Sequence, residues 1–169
     1  MSFSDIGVES ILIDVLNGQG ITEPFEVQNE SIPFALEGHD VCCRAPTGSG
    51  KTLAFGLPLI SRCKKATAFM PTALILSPTR ELAEQICNVL KPLASKVKLG
   101  VIAVYGGTTY SKQRRALKNG VEIVVACPGR LLDLMDQKAL DLSHVDIVVI
   151  DEADRMFDLG FEPQIAKIF

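Results

Sequence analysis

Two short stretches of the chain hold residues able to do chemistry. The first is Ala45-Pro46-Thr47-Gly48-Ser49-Gly50-Lys51-Thr52. It departs from the strict G-x-x-x-x-G-K-[ST] phosphate-loop pattern at Ala45, where the first glycine belongs. The physics survives that change. Gly48 and Gly50 let the backbone turn tightly, so its N–H groups can converge on an anion. A helix-compatible stretch, 53–60, follows and adds the partial positive charge of a helix N-terminus. Lys51 can reach the β- and γ-phosphates of a nucleotide, and the Thr52 hydroxyl can ligate Mg²⁺. The second stretch is Asp151-Glu152-Ala153-Asp154, which directly follows Ile147-Val148-Val149-Ile150. Alone, such acids could simply cap a helix. Behind a phosphate loop about 100 residues upstream, they fit a Walker B role. Asp151 would hold Mg²⁺ through water, and Glu152 would orient and polarise an attacking water. Spacing gives Asp154 no role.

These residues need a frame, and the hydrophobic pattern supplies one. Apolar runs occur at 41–45, 73–77, 100–105, 122–127 and 147–150, most of them rich in Val and Ile without polar alternation. That is the pattern of strands buried on both faces. Amphipathic stretches separate them. Leu82, Ile86, Val89, Leu90 and Leu93 recur at helical spacing, as do Val8, Ile11, Leu12, Val15 and Leu16. Strand alternating with helix predicts an α/β fold with a mainly parallel sheet flanked by helices. Ligands of such sheets bind beyond the carboxyl ends of the strands. The chain shows no internal repeat and no low-complexity segment, and no linker divides it. Lys64-Lys65-Ala66-Thr67-Ala68 reads as a surface loop. One domain over 1–169 is expected.

Bulk properties exclude some classes. The 169 residues are 47% hydrophobic and 22% charged, within the globular range. A net charge of -3 gives no sign of a nucleic-acid partner and does not rule one out, because a basic path can lie on one face. The densest basic cluster, Lys112, Arg114, Arg115 and Lys118, reads first as a solvated helix face. Five cysteines without a Cys-x-x-Cys pair, and two histidines, make a structural metal site improbable. Cys42, Cys43 and Cys127 lie in apolar runs and read as small buried residues. The odd count favours an intracellular, reducing compartment, cytoplasmic or nuclear. The N-terminus has no secretory signal, and no run is long enough to span a membrane.

Asp-Glu-Ala-Asp at 151–154 is the signature of the DEAD-box family of RNA helicases, and the chain resembles the first, RecA-like domain of that family throughout. Residues 45–52 are similar to motif I, Pro78-Thr79-Arg80-Glu81-Leu82-Ala83-Glu84-Gln85 to motif Ia, Gly106-Gly107 to the GG element, and Cys127-Pro128-Gly129-Arg130 to motif Ib. Gly20-Ile21-Thr22-Glu23-Pro24-Phe25-Glu26-Val27-Gln28 is similar to the Q motif, so residues 1–38 form a Q-motif region ahead of the P-loop core. The resemblance implies ATP and Mg²⁺ as cofactors. Lys51, Asp151 and Glu152 are the implied catalytic residues, and Thr52 and Asp151 the metal ligands. The implied nucleotide contacts are Phe3, Ile21, Gln28, Ala45, Pro46, Thr47, Gly48, Ser49, Gly50, Lys51 and Thr52. Gln28 would read adenine, since an amide can donate to N7 and accept from the N6 amine, or else be a polar residue of a helix N-terminus. Phe3 would pack near the base pocket, or else anchor the first helix. An RNA backbone, gripped without regard to sequence, would contact Pro78, Thr79, Arg80, Gly106, Gly107, Gly129 and Arg130. An intramolecular salt bridge is the alternative for each arginine.

The departures from the family pattern bear on function. Ile21 sits where many members carry an aromatic, Phe25-Glu26 replaces the usual Thr-Pro, and Cys127 replaces the usual Thr, whose hydroxyl is the better donor. The Ser-Ala-Thr motif and the second RecA-like domain lie beyond Phe169. The resemblance therefore implies a partial domain lacking its later strands, inactive or nearly so by itself. Other P-loop classes read differently. A GTPase needs an Asn-Lys-x-Asp base reader, and none of Asn17, Asn29, Asn88 or Asn119 begins one. A small-molecule kinase, or a module that binds without turnover, stays open on these residues.

Overall fold

The structure, a computed structural model, describes residues 1–169 except Thr47, Ser49 and Thr108. The chain forms two compact units. One comprises Met1–Arg62 with Pro92–Lys98, the other Cys63–Lys91 with Leu99–Phe169.

The first unit holds α1 (Ser10–Gly18), α2 (Glu26–Leu36) and α3 (Lys51–Arg62), and α2 packs on α3. The amphipathic spacing of α1 buries Leu12 and Leu16, and Phe3, Ile32 and Leu57 are also fully enclosed. The expected strand at 41–45 does not form. Those residues are irregular, and Val41, Cys42 and Cys43 are exposed. A strand exists only by pairing, and no described strand pairs with this one. The run Val41-Cys42-Cys43-Arg44-Ala45 also has one β-branched residue and a charge, so local preference does not hold it extended. Without a sheet to bury them, Cys42 and Cys43 are solvent-facing thiols, which corrects the expectation of buried ones.

The second unit is built on four parallel strands, β1 (Ala73–Leu76), β2 (Val101–Val104), β3 (Ile123–Ala126) and β4 (Ile147–Ile150), in the order β2-β3-β1-β4. Burial follows position in the sheet. The central β1 and β3 are buried at every residue, whereas edge strand β4 alternates, with Val148 and Ile150 exposed. Because side chains alternate across a strand, Leu74, Leu76, Val104, Val124 and Ala126 share a face. They form one core with Leu131 and Leu134 of α6 (Pro128–Asp136), Met156 of α7 (Ala153–Asp158) and Ile168 of α8 (Glu162–Ile168). The remaining helices are α4 (Arg80–Lys96) and α5 (Tyr110–Lys118). The α4 stripe runs through Ala83, Ile86, Cys87, Leu90, Leu93 and Ala94, while Val89, expected within it, is exposed. Burial and Lys91 act oppositely on the Cys87 thiol, and burial wins, pushing it up to about 12. Among the described residues no helix is long and apolar enough to cross a membrane.

One carboxylate ties the amino ends of the strands. Glu122 is buried, and its Oε1 accepts from Gly100 N at 2.8 Å while its Oε2 accepts from Ala66 N at 3.0 Å. Its backbone oxygen also accepts from Thr72 N and Ala73 N, each at 3.0 Å. Replacing Glu122 by Ala leaves two N–H groups without their acceptor. We expect Glu122→Ala to lower unfolding stability by about 1.5–3 kcal/mol, and Glu122→Gln to lose less, in urea titrations. Equal stability of all three proteins contradicts this account of the bracket.

Candidate functional site

Four candidate segments leave the sheet at one edge because all four strands run the same way. β2 ends in Tyr105-Gly106-Gly107, β3 in Cys127-Pro128-Gly129-Arg130, β1 in Ser77-Pro78-Thr79-Arg80, and β4 in Asp151-Glu152. The backbone ladder continues past the strands and fixes these starts. Cys127 N donates to Val104 O at 2.9 Å, Ser77 N to Ala126 O at 2.9 Å, and Asp151 N to Leu76 O at 3.0 Å. The carboxyl edge expected to carry chemistry is thus assembled within one unit.

The segment after β1 starts a helix. Thr79 Oγ1 accepts from Leu82 N at 3.2 Å, which caps α4. Arg80, the first residue of α4, lies over the Tyr105 ring at 5.0 Å, and the Tyr105 hydroxyl donates to Glu84. That bond, with burial, raises the Tyr105 pKa. Gly107 has φ +84, and a Cβ there would stand 3.4 Å from Arg80 Nη1. Glycine therefore suits the backbone and leaves room for the guanidinium. Gly106 and Gly129 face open space where a side chain would be, so bare backbone is presented at both. Arg130 stacks on Tyr110 at 3.9 Å, and its Nη1 donates to Gln113 Oε1 at 3.1 Å. Both arginines thus have an aromatic neighbour, an arrangement the sequence did not suggest. Tyr105, Tyr110 and Gln113 were missed for that reason. Their only signal was proximity to the two glycines, since the partners come together through the fold.

Cys127 stands at the N-cap of α6 and makes no side-chain cap bond. It is half-buried, and desolvation, with a smaller push from Glu81, raises its thiol to about 11. A neutral thiol is therefore present at ordinary pH. Asp151 is 8% exposed at the end of β4. Glu152 adopts the left-handed conformation, φ 52 and ψ 51, and its Oε2 pairs with Arg155 Nη1 at 3.2 Å. A non-glycine residue there carries backbone strain.

The phosphate-loop residues belong to the first unit. Thr47 and Ser49 lie outside the described residues. Ala45 is half-buried, Pro46 is exposed, and Lys51 and Thr52 open α3, half-buried. Gly48 and Gly50 have φ +83 and +84, as a tightly turning loop requires. Around Gly48 nothing stands within 4 Å of where a Cβ would be, so the backbone there is open to an anion. At Gly50 a Cβ would meet Gln28 Nε2 at 2.4 Å and Phe25 Cδ2 at 2.5 Å. Gln28 is 1% exposed, and both ends of its amide are engaged: Oε1 accepts from Phe25 N at 2.9 Å, and Nε2 donates to Gly50 O at 3.0 Å. In this structure Gln28 braces the loop. Phe3 is 1% exposed, in the core of its unit, and Ile21 is half-buried.

A parallel sheet flanked by helices, with the candidate segments at its carboxyl edge, is an α/β architecture of the kind RecA-like domains have. Known proteins give the family. The DEAD/DEAH box helicase family model matches residues 25–169, and the chain belongs to that family. Membership sets aside the GTPase and small-molecule kinase alternatives. The chain is 42% identical to the pre-mRNA-processing ATP-dependent RNA helicase prp-5 of Neurospora crassa, aligning over 99% of this chain and 15% of that protein. It is 45% identical to the ATP-dependent RNA helicase DBP2 of Encephalitozoon cuniculi, over 98% of this chain and 34% of that protein. Among solved structures it is similar to the RNA helicase Prp28 of Chaetomium thermophilum bound to ADP, with a TM-score of 0.91 and 42% identity over 99% of this chain and 42% of that one. A DEAD box protein from Methanococcus jannaschii gives a TM-score of 0.92 at 35% identity, over 99% of this chain and 46% of that one. The chain spans about a third or less of these two curated relatives.

Two stability measurements check the site geometry. Gly48→Ala meets only the left-handed backbone cost, about 1–2 kcal/mol, whereas Gly50→Ala must also displace Gln28 and should lose more. Equal losses on denaturant unfolding contradict the Gln28 brace. At position 152, the N-cap of α7, the left-handed backbone adds to glycine's ordinary N-cap advantage, so Glu152→Gly should be more stable than Glu152→Ala by about 1 kcal/mol or more. An alanine variant as stable as the glycine one contradicts the left-handed assignment.

Proposed function

We propose that this chain is the ATP- and RNA-binding RecA-like part of an ATP-dependent RNA helicase, which couples ATP hydrolysis to RNA binding and duplex remodelling. The observation that carries the reading is the shared edge. In a family of helicases, three backbone-rich segments with two arginines and a pair of acids all emerge at the carboxyl ends of adjacent parallel strands.

The residues fit a magnesium nucleotide. The backbone at Gly48 is open, with nothing within 4 Å of where a Cβ would stand, so an anion can approach it. No described group of three or more His, Cys, Asp or Glu could hold a metal by itself. Mg²⁺ is usually held by one or two carboxylates together with substrate phosphates. When bound, Mg²⁺–ATP supplies the transferable γ-phosphoryl group and a cation that offsets its charge. Gly48, Gly50, Lys51 and Thr52 offer backbone N–H groups to the phosphates, and Lys51 also offers an ammonium. Thr52 and Asp151 are the proposed metal ligands, Asp151 through water. Glu152 accepts a hydrogen bond from the attacking water and orients it. The Arg155 pair is made through Oε2 and is compatible with this, since a carboxylate accepts hydrogen bonds on both oxygens. Gln28 is the proposed adenine reader, with Ile21 and Phe3 on the base side.

For RNA, Gly106, Gly107 and Gly129 admit phosphates close to the backbone, and Thr79 caps α4, whose first N–H groups point outward, with the buried Pro78 just before it. Arg80 and Arg130 supply charge-assisted bonds to phosphate oxygens. Such contacts hold a strand in place without reading its bases.

Two titrations test the nucleotide half. Lys51→Ala should weaken ATP binding in calorimetry with the fold retained, and equal affinity would sink its phosphate role. Gln28→Ala separates two actions. If Gln28 reads the base, the preference for ADP over GDP should fall by about 1–3 kcal/mol. If it only braces Gly50, both nucleotides should weaken alike, and the base-reading role is lost.

A further inference from the structure

We infer that Gln113 and Tyr110 are positioning residues for Arg130, holding its guanidinium ready for an RNA phosphate. The inference deepens the reading of Arg130 as a phosphate contact and rests on it.

The geometry begins on α5, where Tyr110 and Gln113 are three residues apart and so lie on one helix face. Both meet the same guanidinium. Tyr110 offers its ring at 3.9 Å, and Gln113 Oε1 accepts from Nη1 at 3.1 Å. Each is fixed from behind. The Tyr110 hydroxyl donates to Asp133 Oδ2 at 3.0 Å, and Asp133 lies three residues beyond Arg130 on α6. Gln113 is 7% exposed, and its Nε2 donates to Tyr105 O at 3.3 Å.

That last bond sets the direction of the amide. Nε2 is committed to a carbonyl, so Oε1 must face Arg130; a flipped amide would oppose donor to donor at the arginine and acceptor to acceptor at Tyr105. Tyr105 immediately precedes Gly106-Gly107. One buried amide therefore joins the strand end that carries the glycine pair to the arginine that follows β3. It connects two of the proposed phosphate patches by side chain, beyond what the sheet does by register. An arginine held by a ring and an amide loses less freedom when it takes a ligand than one waving in solvent.

Gln113→Leu and Gln113→Glu test this in the full-length protein, by equilibrium binding of single-stranded RNA across a salt series, with Arg130→Ala and the double variants alongside. Arg130→Ala should weaken binding and make the plot of log affinity against log salt shallower by about one counterion. Gln113→Leu should weaken binding about two- to tenfold, the scale of one side chain's lost ordering. Gln113→Glu keeps the size and the acceptor facing Arg130, gives up the bond to Tyr105 O, and puts a carboxylate against the guanidinium. It should flatten the salt slope as Arg130→Ala does, an effect that loosened packing does not produce. In the Arg130→Ala background neither Gln113 variant should weaken binding further. If Gln113→Leu folds poorly, Gln113→Glu carries the test. RNA affinity unchanged in both Gln113 variants, with Arg130→Ala weakened, overturns the positioning role and leaves the phosphate reading standing. The same holds if the Gln113 effects persist undiminished without Arg130. An unaltered affinity in Arg130→Ala removes the phosphate reading itself.

Discussion

The parallel register of four short strands is the constraint on which the site depends. Ala73 sits opposite both Ile123 and Ile147, and Val101 opposite Ile123, so all four strands start level and end level. Each has four residues, roughly 13 Å of extended chain. A one-residue slip in any strand would carry its exit segment along the sheet and exchange its two faces. Leu74, Leu76, Val124 and Ala126 resist this because each is fully buried in its present register. Packing energy in the core thereby fixes where Arg80, Gly106, Arg130 and Asp151 emerge.

The two ends of the sheet are built differently, and the difference matches their roles. At the amino end Glu122 gathers backbone N–H groups from three segments, and such saturation favours rigidity. At the carboxyl end Gly106 and Gly129 leave bare backbone, Glu152 is held in a strained conformation, and the cap position of α6 carries a thiol that makes no cap bond. One edge is bracketed by hydrogen bonds, and the other presents bare backbone, as the proposed ligand contacts need. The arginines there rest on tyrosine rings, which pre-orders them while their charge stays near solvent.

The sequence was most informative where one kind of residue dominates a run. Ile147-Val148-Val149-Ile150 and Ile123-Val124-Val125-Ala126 could hardly be anything but strands, and both are. The run at 41–45 looked similar by hydropathy. Strand formation depends on a partner, however, and hydropathy carries no information about partners. The same limit applies within the site. The glycines, the lysine and the paired acids were legible because their chemistry is local. The amide of Gln28 was not, since its bond to Gly50 joins residues 22 apart in the chain. Arg80 and Arg130 were read as charges needing either phosphate or an acid, and the rings that hold them became visible only when the strand ends were brought level.

The account's central claim is that RNA lies along the carboxyl edge of this sheet. Site-resolved amide hydrogen exchange of the full-length protein, with and without single-stranded RNA in the presence of an ATP analogue, measures this most directly. Protection should rise at Thr79, Arg80, Gly106, Gly107, Gly129 and Arg130, while Gly100 and Glu122 at the opposite edge exchange as before. Protection confined to the amino edge, or to the exposed face of α5, would contradict it.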